Sequence, residues 1–179
     1  MNTSQIASVQ YLTRPQGRLS YTVEGHGPLV VAVPGMGDLR GTWRDVVPPL
    51  VDAGFRVAVL DLRGHGDADT TFTEHGDLAT ATDILALIDE LGGPALVIGN
   101  SMAGSSAVIA AADRPDAVAG LALVSPFLRG GPAGAAGRLL YRTMFARPWG
   151  AAMWATFYRT SLSKGARASW LGEHVAAIR

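Results

Sequence analysis

The chain is 179 residues long, 48% hydrophobic and 17% charged, with no net charge at pH 7 and no cysteine. That length fits one domain burying about 70% of its unfolded surface, and the balance excludes a disordered chain. Disulfides and thiolate metal sites are excluded, and no apolar run approaches the roughly 20 residues of a membrane helix, so no membrane insertion is expected.

In chain order, Ser8 to Thr13 and Arg18 to Glu24 read as an antiparallel hairpin around Pro15-Gln16-Gly17. Four near-continuous apolar, β-branched runs follow: Leu29 to Val33, Arg56 to Leu60, Ala95 to Gly99 and Val118 to Val124. Such runs suit parallel strands covered on both faces. Between them lie helical patterns over Trp43 to Ala53, Asp77 to Leu91 and Met102 to Arg114, with Asp77 the expected N-cap and Gly92-Gly93-Pro94 the stop. Strand and helix alternate, so the fold class is α/β, a mostly parallel sheet flanked by helices. After Pro126 the character changes. A glycine-rich link, Gly130 to Gly137, leads to amphipathic helical patterns that, with Phe127, hold 8 of the 13 aromatic residues. The expected division is a core over 1–126 and a helical, cap-like segment over 127–179. Met1 to Leu12 lacks the basic start and apolar centre of a signal peptide, and a cytoplasmic location is expected.

The most informative stretch is Gly99-Asn100-Ser101-Met102-Ala103-Gly104, directly after the apolar run Ala95-Leu96-Val97-Ile98. A serine between small residues, leaving a buried strand and entering an apolar helix, fits a nucleophile elbow. The tight turn strains the serine backbone and leaves no room for bulky neighbours, but it exposes the hydroxyl beside the unpaired N–H groups of a helix start. The third small position is Ala103 rather than glycine, and little side-chain volume is what the turn needs there. The plainer alternative is a serine that only caps the helix. Two further loops end strands: Pro34-Gly35-Met36-Gly37-Asp38 after the first parallel run, and Asp61-Leu62-Arg63-Gly64-His65-Gly66-Asp67 after the next. Asp61, Arg63, Gly64 and Gly66 read as a structural turn, and Trp43 as core.

These three motifs, in this order, resemble the α/β-hydrolase superfamily, and the resemblance covers nearly the whole chain. Pro34 stands where that family often has histidine. The resemblance implies an α/β-hydrolase core with six of the usual eight strands, followed by the start of a cap. It implies Ser101 as nucleophile, with the backbone N–H groups of Met36 and Met102 as the oxyanion hole. The serine argues against the branches that use aspartate at the elbow, the dehalogenases and epoxide hydrolases. The implied activity is cleavage of a carboxylic ester or related acyl bond of a small, apolar acyl substrate through an acyl-enzyme, with no cofactor and no metal. Family order places an acid and then a histidine after the serine. Downstream of Ser101 stand only Asp113, Asp116, Glu173 and His174. The two aspartates read as solvated helix-end residues and His174 as a helix-surface residue. The acid and histidine are therefore expected beyond Arg179, in a missing C-terminal portion of the same protein. This chain alone is expected to be nearly inactive, with Val118 to Val124 left at a sheet edge as an aggregation hazard.

Rival readings carry other chemistry. Gly35-x-Gly37, Gly41 and Asp61 resemble the fingerprint of a nucleotide-binding Rossmann-type oxidoreductase, but the third glycine falls one residue late, with Arg40 in its place. A non-catalytic ligand-binding protein on the hydrolase fold is the other alternative. His65, Asp67, Asp69, Glu74 and His75 read as a solvated polar loop rather than a metal site. No basic, aromatic module for nucleic acid is present. Residues 1–126 hold 7 basic and 14 acidic side chains, and 127–179 hold 8 and 1. Mutual attraction of the two parts, or balancing by further sequence, is the simpler reading; an anionic substrate or lipid surface near the basic segment is the other.

Overall fold

The computed structural model describes residues 7–128 and, beyond them, 139, 142–143, 146, 148–162 and 169–177. The chain divides into two compact units, Met1–Leu128 and Arg129–Arg179, taken separately below. The glycine-rich link, Gly130 to Gly137, lies outside the described residues, as do Tyr141 and Phe145.

The first unit is built on six strands: β1 (Gln10–Arg14), β2 (Gly17–Glu24), β3 (Leu29–Val33), β4 (Arg56–Leu60), β5 (Ala95–Asn100) and β6 (Val118–Val124). They form one sheet in the order β1-β2-β4-β3-β5-β6. β3 pairs in parallel with β4 and β5, and β5 with β6, while β1 and β2 run antiparallel at one side. All five residues of β3 are buried. Val30 and Ala32 pack with Trp43, Val47, Val57 and Val59 on one face. Leu29, Val31 and Val33 join Ala58, Leu60, Ile84 and Leu87 on the other. Burial on both faces removes any need for polar alternation, which is why these strands read as unbroken apolar runs.

The single helix expected over Trp43 to Ala53 is a short 3-10 turn, Arg40–Trp43, followed by α1 (Val47–Asp52). Pro48 and Pro49 cannot donate to a carbonyl four residues back, so the helix starts around them, where helical N–H groups have no partner anyway. Helix α2 (Asp77–Leu91) has Gly76, not Asp77, at its N-cap. Asp77 is the first helical residue and makes no capping bond, though its charge suits a helix N-terminus. Gly92, left-handed at φ 77°, ends the helix. Helix α3 (Met102–Asp113) joins β5 to β6, with Asp113 and Asp116 exposed near its end.

The loop after β4 is held by a buried carboxylate. Asp61, 1% exposed, accepts from the Ser20 hydroxyl at 2.8 Å, from the Arg40 amide at 3.0 Å and from the Arg40 guanidinium. Burial pushes the Asp61 carboxyl above the usual carboxylate range, against the opposing pull of Arg40 and these hydrogen bonds. A Cβ on Gly66, which has φ 54°, would lie 2.7 Å from the Asp61 Cγ, so the turn closes directly over the carboxylate. Two residues on, Arg63 donates to buried Asp83 of α2 at 2.6 and 2.8 Å, and Arg14 donates to the same carboxylate at 3.0 Å. Asp61, Arg63 and Gly66 thus pin the β4 loop to β2, to the β3 loop and to α2.

In the second unit, α4 (Gly150–Phe157) runs into a π-helical turn, Tyr158–Leu162, and α5 (Leu171–Ala177) follows. His174, expected on a helix surface, is 3% exposed, with its ring 5.5 Å from that of Tyr158 and 5.6 Å from that of Trp170. Aromatic neighbours cover it. Among the described residues, no helix is long and apolar enough to cross a membrane.

Replacing Arg40 leaves Asp61 buried without its cation, a change expected to cost about 3 kcal/mol at neutral pH. The sign follows from linkage. Asp61 already has a raised folded-state pKa, and losing Arg40 raises it further, so the folded state binds its proton more readily than the unfolded chain. The unfolded chain is common to both proteins, so the deficit of Arg40→Met is smallest in acid and grows as pH rises through the raised folded-state pKa of Asp61. Urea unfolding of both proteins across the acid-to-neutral range reads it. β6 is an edge strand with Leu121 41% and Val124 45% exposed. Leu121→Lys should lower light scattering at high concentration and change stability by less than about 1 kcal/mol.

Candidate active site

β5 delivers the chain to Ser101 at its end, where φ is 55° and ψ −118°. Among the described residues only Ser101 and Ser125 are non-glycine residues with positive φ. Such a conformation costs about 1–3 kcal/mol and persists only where its surroundings dictate it. They do so here. A Cβ on Gly99 would lie 2.7 Å from the Ala103 carbonyl carbon and 2.8 Å from the Gly104 Cα, so α3 starts as close to β5 as a backbone can. Gly104 in turn admits Pro126, whose Cβ would be 2.7 Å from an added Cβ. Ala103, in the third small position of the motif, is fully buried. The Ser101 N–H donates to Val124 O at 2.9 Å. Its carbonyl accepts from Gly104 at 3.1 Å and from Phe127 at 3.2 Å. The C-terminal end of β6 therefore grips the turn from the side.

The loop after β3 lies against this turn. A Cβ on Gly35 would be 3.1 Å from the Ser101 Cβ and 3.5 Å from the Asn100 Nδ2. Gly35 accepts from the Asp38 N–H at 3.1 Å, closing a four-residue turn with Met36 and left-handed Gly37 (φ 76°) inside it. Met36 is thus next in chain to a residue touching Ser101. Met102 opens α3, where backbone N–H groups lie ahead of the helical ladder. The side chains of Met36 and Met102 line one open, largely apolar depression of about 400 Å³, with Leu62, Arg63, His65 and His75 among its other walls.

His65 departs from the solvated-loop expectation. It is partly buried; its Nε2 accepts from the Gly37 N–H at 3.0 Å, and its Nδ1 lies 2.9 Å from the Arg63 carbonyl. Asp67 and Asp69 are ordinary loop carboxylates paired with Arg40 and Arg18, the latter guanidinium holding Asp69 below the usual range. His75 is exposed and its Nε2 lies 3.1 Å from Phe72 O. Residues 28 positions apart carry no shared local period, so the His65–Gly37 bond left no trace in the sequence. The nucleotide-binding alternative fails at Asp61. Its carboxylate is enclosed and committed to Ser20 and Arg40, with no face left for a ribose.

A strained serine between a parallel strand and a helix, with a Pro-Gly loop against it, defines an α/β-hydrolase core. The alpha/beta hydrolase fold family matches residues 28–159, and the chain belongs to that family. It is 31% identical over 130 residues to the 2-hydroxy-6-oxo-6-phenylhexa-2,4-dienoate hydrolase of Comamonas testosteroni, covering 70% of this chain and 46% of that protein. It is 29% identical over 131 residues to bifunctional epoxide hydrolase 2 of Mus musculus, covering 71% and 24%. The structure of a thermophilic esterase from Thermogutta terrifontis superposes with a TM-score of 0.78 at 25% identity, covering 96% of this chain and 66% of that one. The chain spans less than half the length of these two curated relatives.

Because Gly99 meets main chain rather than flexible side chain, Gly99→Ala should cost about 2–3 kcal/mol through overpacking. Urea unfolding measures it, and a loss below about 0.5 kcal/mol would mean that α3 moves aside freely.

Proposed function

We propose that this chain carries the nucleophile and the oxyanion hole of a serine hydrolase that cleaves a carboxylic ester or related acyl bond. The single observation behind this reading is the strained Ser101 at a strand end with the Gly35 loop in contact with it. In the reaction, Ser101 Oγ gives its proton to a base and bonds to the acyl carbon. The carbonyl oxygen gathers negative charge between the N–H groups of Met36 and Met102. The bond to the leaving alcohol breaks, the alcohol takes the proton, and water repeats the sequence on the acyl-enzyme. Each main-chain donor contributes about 3–4 kcal/mol, because it faces a charge that exists only on the way to the intermediate. The methionine side chains and Leu62 in the depression favour an apolar acyl group. The aromatic residues beyond Pro126 fit the start of a cap segment.

Several relatives are epoxide hydrolases, among them the mouse protein. Ser101 argues for acyl chemistry instead. A serine that opened an epoxide would be left as an ether, with no carbonyl carbon for water to attack, and the enzyme would stall after one turnover. A carboxylate nucleophile would form an ester, which water can cleave.

A fluorophosphonate probe applied to the natural full-length protein should leave one adduct, located by mass spectrometry on Ser101. Ser101→Ala should abolish the adduct and lower ester turnover by about 10⁵–10⁶-fold. Unchanged hydrolysis in Ser101→Ala, or an adduct elsewhere, would overturn the proposal and favour a binding protein on the same fold.

A further inference from the structure

We infer that His65 is a positioning residue for the oxyanion loop: its neutral imidazole fixes the peptide between Met36 and Gly37 and so holds the loop in place against Ser101. The inference rests on the serine-hydrolase reading and adds a residue to that site.

The loop has a weak point. The Asp38 to Gly35 hydrogen bond closes the turn from Gly35 to Asp38 at its ends but does not hold its middle peptide. In four-residue turns that peptide differs by about 180° between types I and II, and a left-handed third residue marks type II. Gly37, at φ 76°, is that residue, and glycine there makes the alternative conformations cheap. The Gly37 N–H belongs to this middle peptide, and the imidazole of His65 receives it at 3.0 Å.

The other ring nitrogen makes the bond specific. Nδ1 lies 2.9 Å from the Arg63 carbonyl, which can only accept, so Nδ1 carries the hydrogen and Nε2 presents a lone pair to Gly37. Both nitrogens agree on one neutral tautomer. The frame behind the ring is stiff. The His65 N–H donates to Leu62 O at 3.0 Å, the Ala68 N–H donates to His65 O at 2.9 Å, and Arg63 is clamped to Asp83 of α2. The ring also lines the depression shared by Met36 and Met102, so the tether acts at the site.

Protonation would set an N–H on Nε2 against the N–H of Gly37, donor facing donor, and the bond would be lost. Among the described residues, Arg63 and His75 line the same depression as the ring; nearby in chain, Asp67 pairs with Arg40, and the Asp38 carboxylate accepts the Leu39 N–H.

Two substitutions separate the acceptor from the bulk. His65→Phe keeps a ring without a lone pair, and His65→Gln offers an amide oxygen near the Nε2 position. In the natural full-length protein, phosphonylation of Ser101 by the fluorophosphonate should slow at least about tenfold in His65→Phe and recover to within about threefold in His65→Gln, since slight misplacement of oriented groups is costly. Ester hydrolysis should lose kcat with KM unchanged. In ¹⁵N spectra the Gly37 amide should shift in His65→Phe, and in the unsubstituted protein it should move in step with protonation of the His65 ring. A phosphonylation rate within twofold of the unsubstituted protein in His65→Phe, no recovery in His65→Gln, or a Gly37 amide indifferent to both would overturn the inference. If the unsubstituted protein fails to react at Ser101, the serine-hydrolase reading falls, and the Gly37 amide alone decides the tether. Should His65→Phe not fold, that amide's response to acid in the unsubstituted protein decides.

Discussion

The contact on which the site depends is between two pieces of backbone. At Gly99 the end of β5 and the first turn of α3 come so close that a single Cβ would lie 2.7 Å from a main-chain carbon. That proximity forces the reversal of direction into one residue, and the residue is Ser101, at φ 55°. The strain of about 1–3 kcal/mol has nowhere to relax. The Ser101 N–H is tied to Val124, its carbonyl to Gly104 and Phe127, and Gly104 is closed off by Pro126. Relaxing the serine would break the pairing of β6 with β5 at the point where both strands end.

Around that turn the sheet acts as an alignment frame. β3 and β5 are neighbours in register, Val33 opposite Gly99, so the loops that follow them leave the sheet side by side. β4 lies on the other flank of β3, and its loop also emerges at the same edge. Three loops far apart in sequence are thus brought to one edge by strand order alone, as ligand sites in open α/β sheets generally are. Asp61 then fixes the third loop. Its carboxylate joins β2 through Ser20 and the β3 loop through Arg40, from a fully enclosed position.

Much of this was legible because it is local. Leu29–Val33 and Arg56–Leu60 begin and end where the apolar runs do, since both faces of those strands are buried. The elbow declared itself by small residues around a serine, which have no other reason to cluster at a strand end. What escaped depends on distance or on partial rules. Pro48 and Pro49 forbid helix interior but permit helix start, so a single helix over Trp43 to Ala53 was the wrong parsing. Asp77 carries the charge of a helix N-terminus without being its cap. His174 reads as polar until aromatic rings close over it. The bonds from Arg40 to Asp61 and from Gly37 to His65 span 21 and 28 residues, and no periodicity encodes such pairs.

On the proposed reading, the groups that would stabilise a developing oxyanion are main-chain amides, which no substitution can remove. The sequence acts on them only through their supports: Gly35, which lets the loop touch the elbow, Gly37, which lets it turn, and His65, which would stop it turning too freely. This division has a physical rationale. An amide is worth most to a new charge when it is already aimed and need not reorganise, and when apolar surroundings keep water from competing. Met36, Leu62 and Met102 supply the apolar lining beside the donors. Rigidity must then come from behind the loop, since a glycine-rich turn has little of its own. A neutral imidazole suits that task better than a carboxylate. It accepts one hydrogen bond in a fixed direction, and it adds no negative charge where another is about to form.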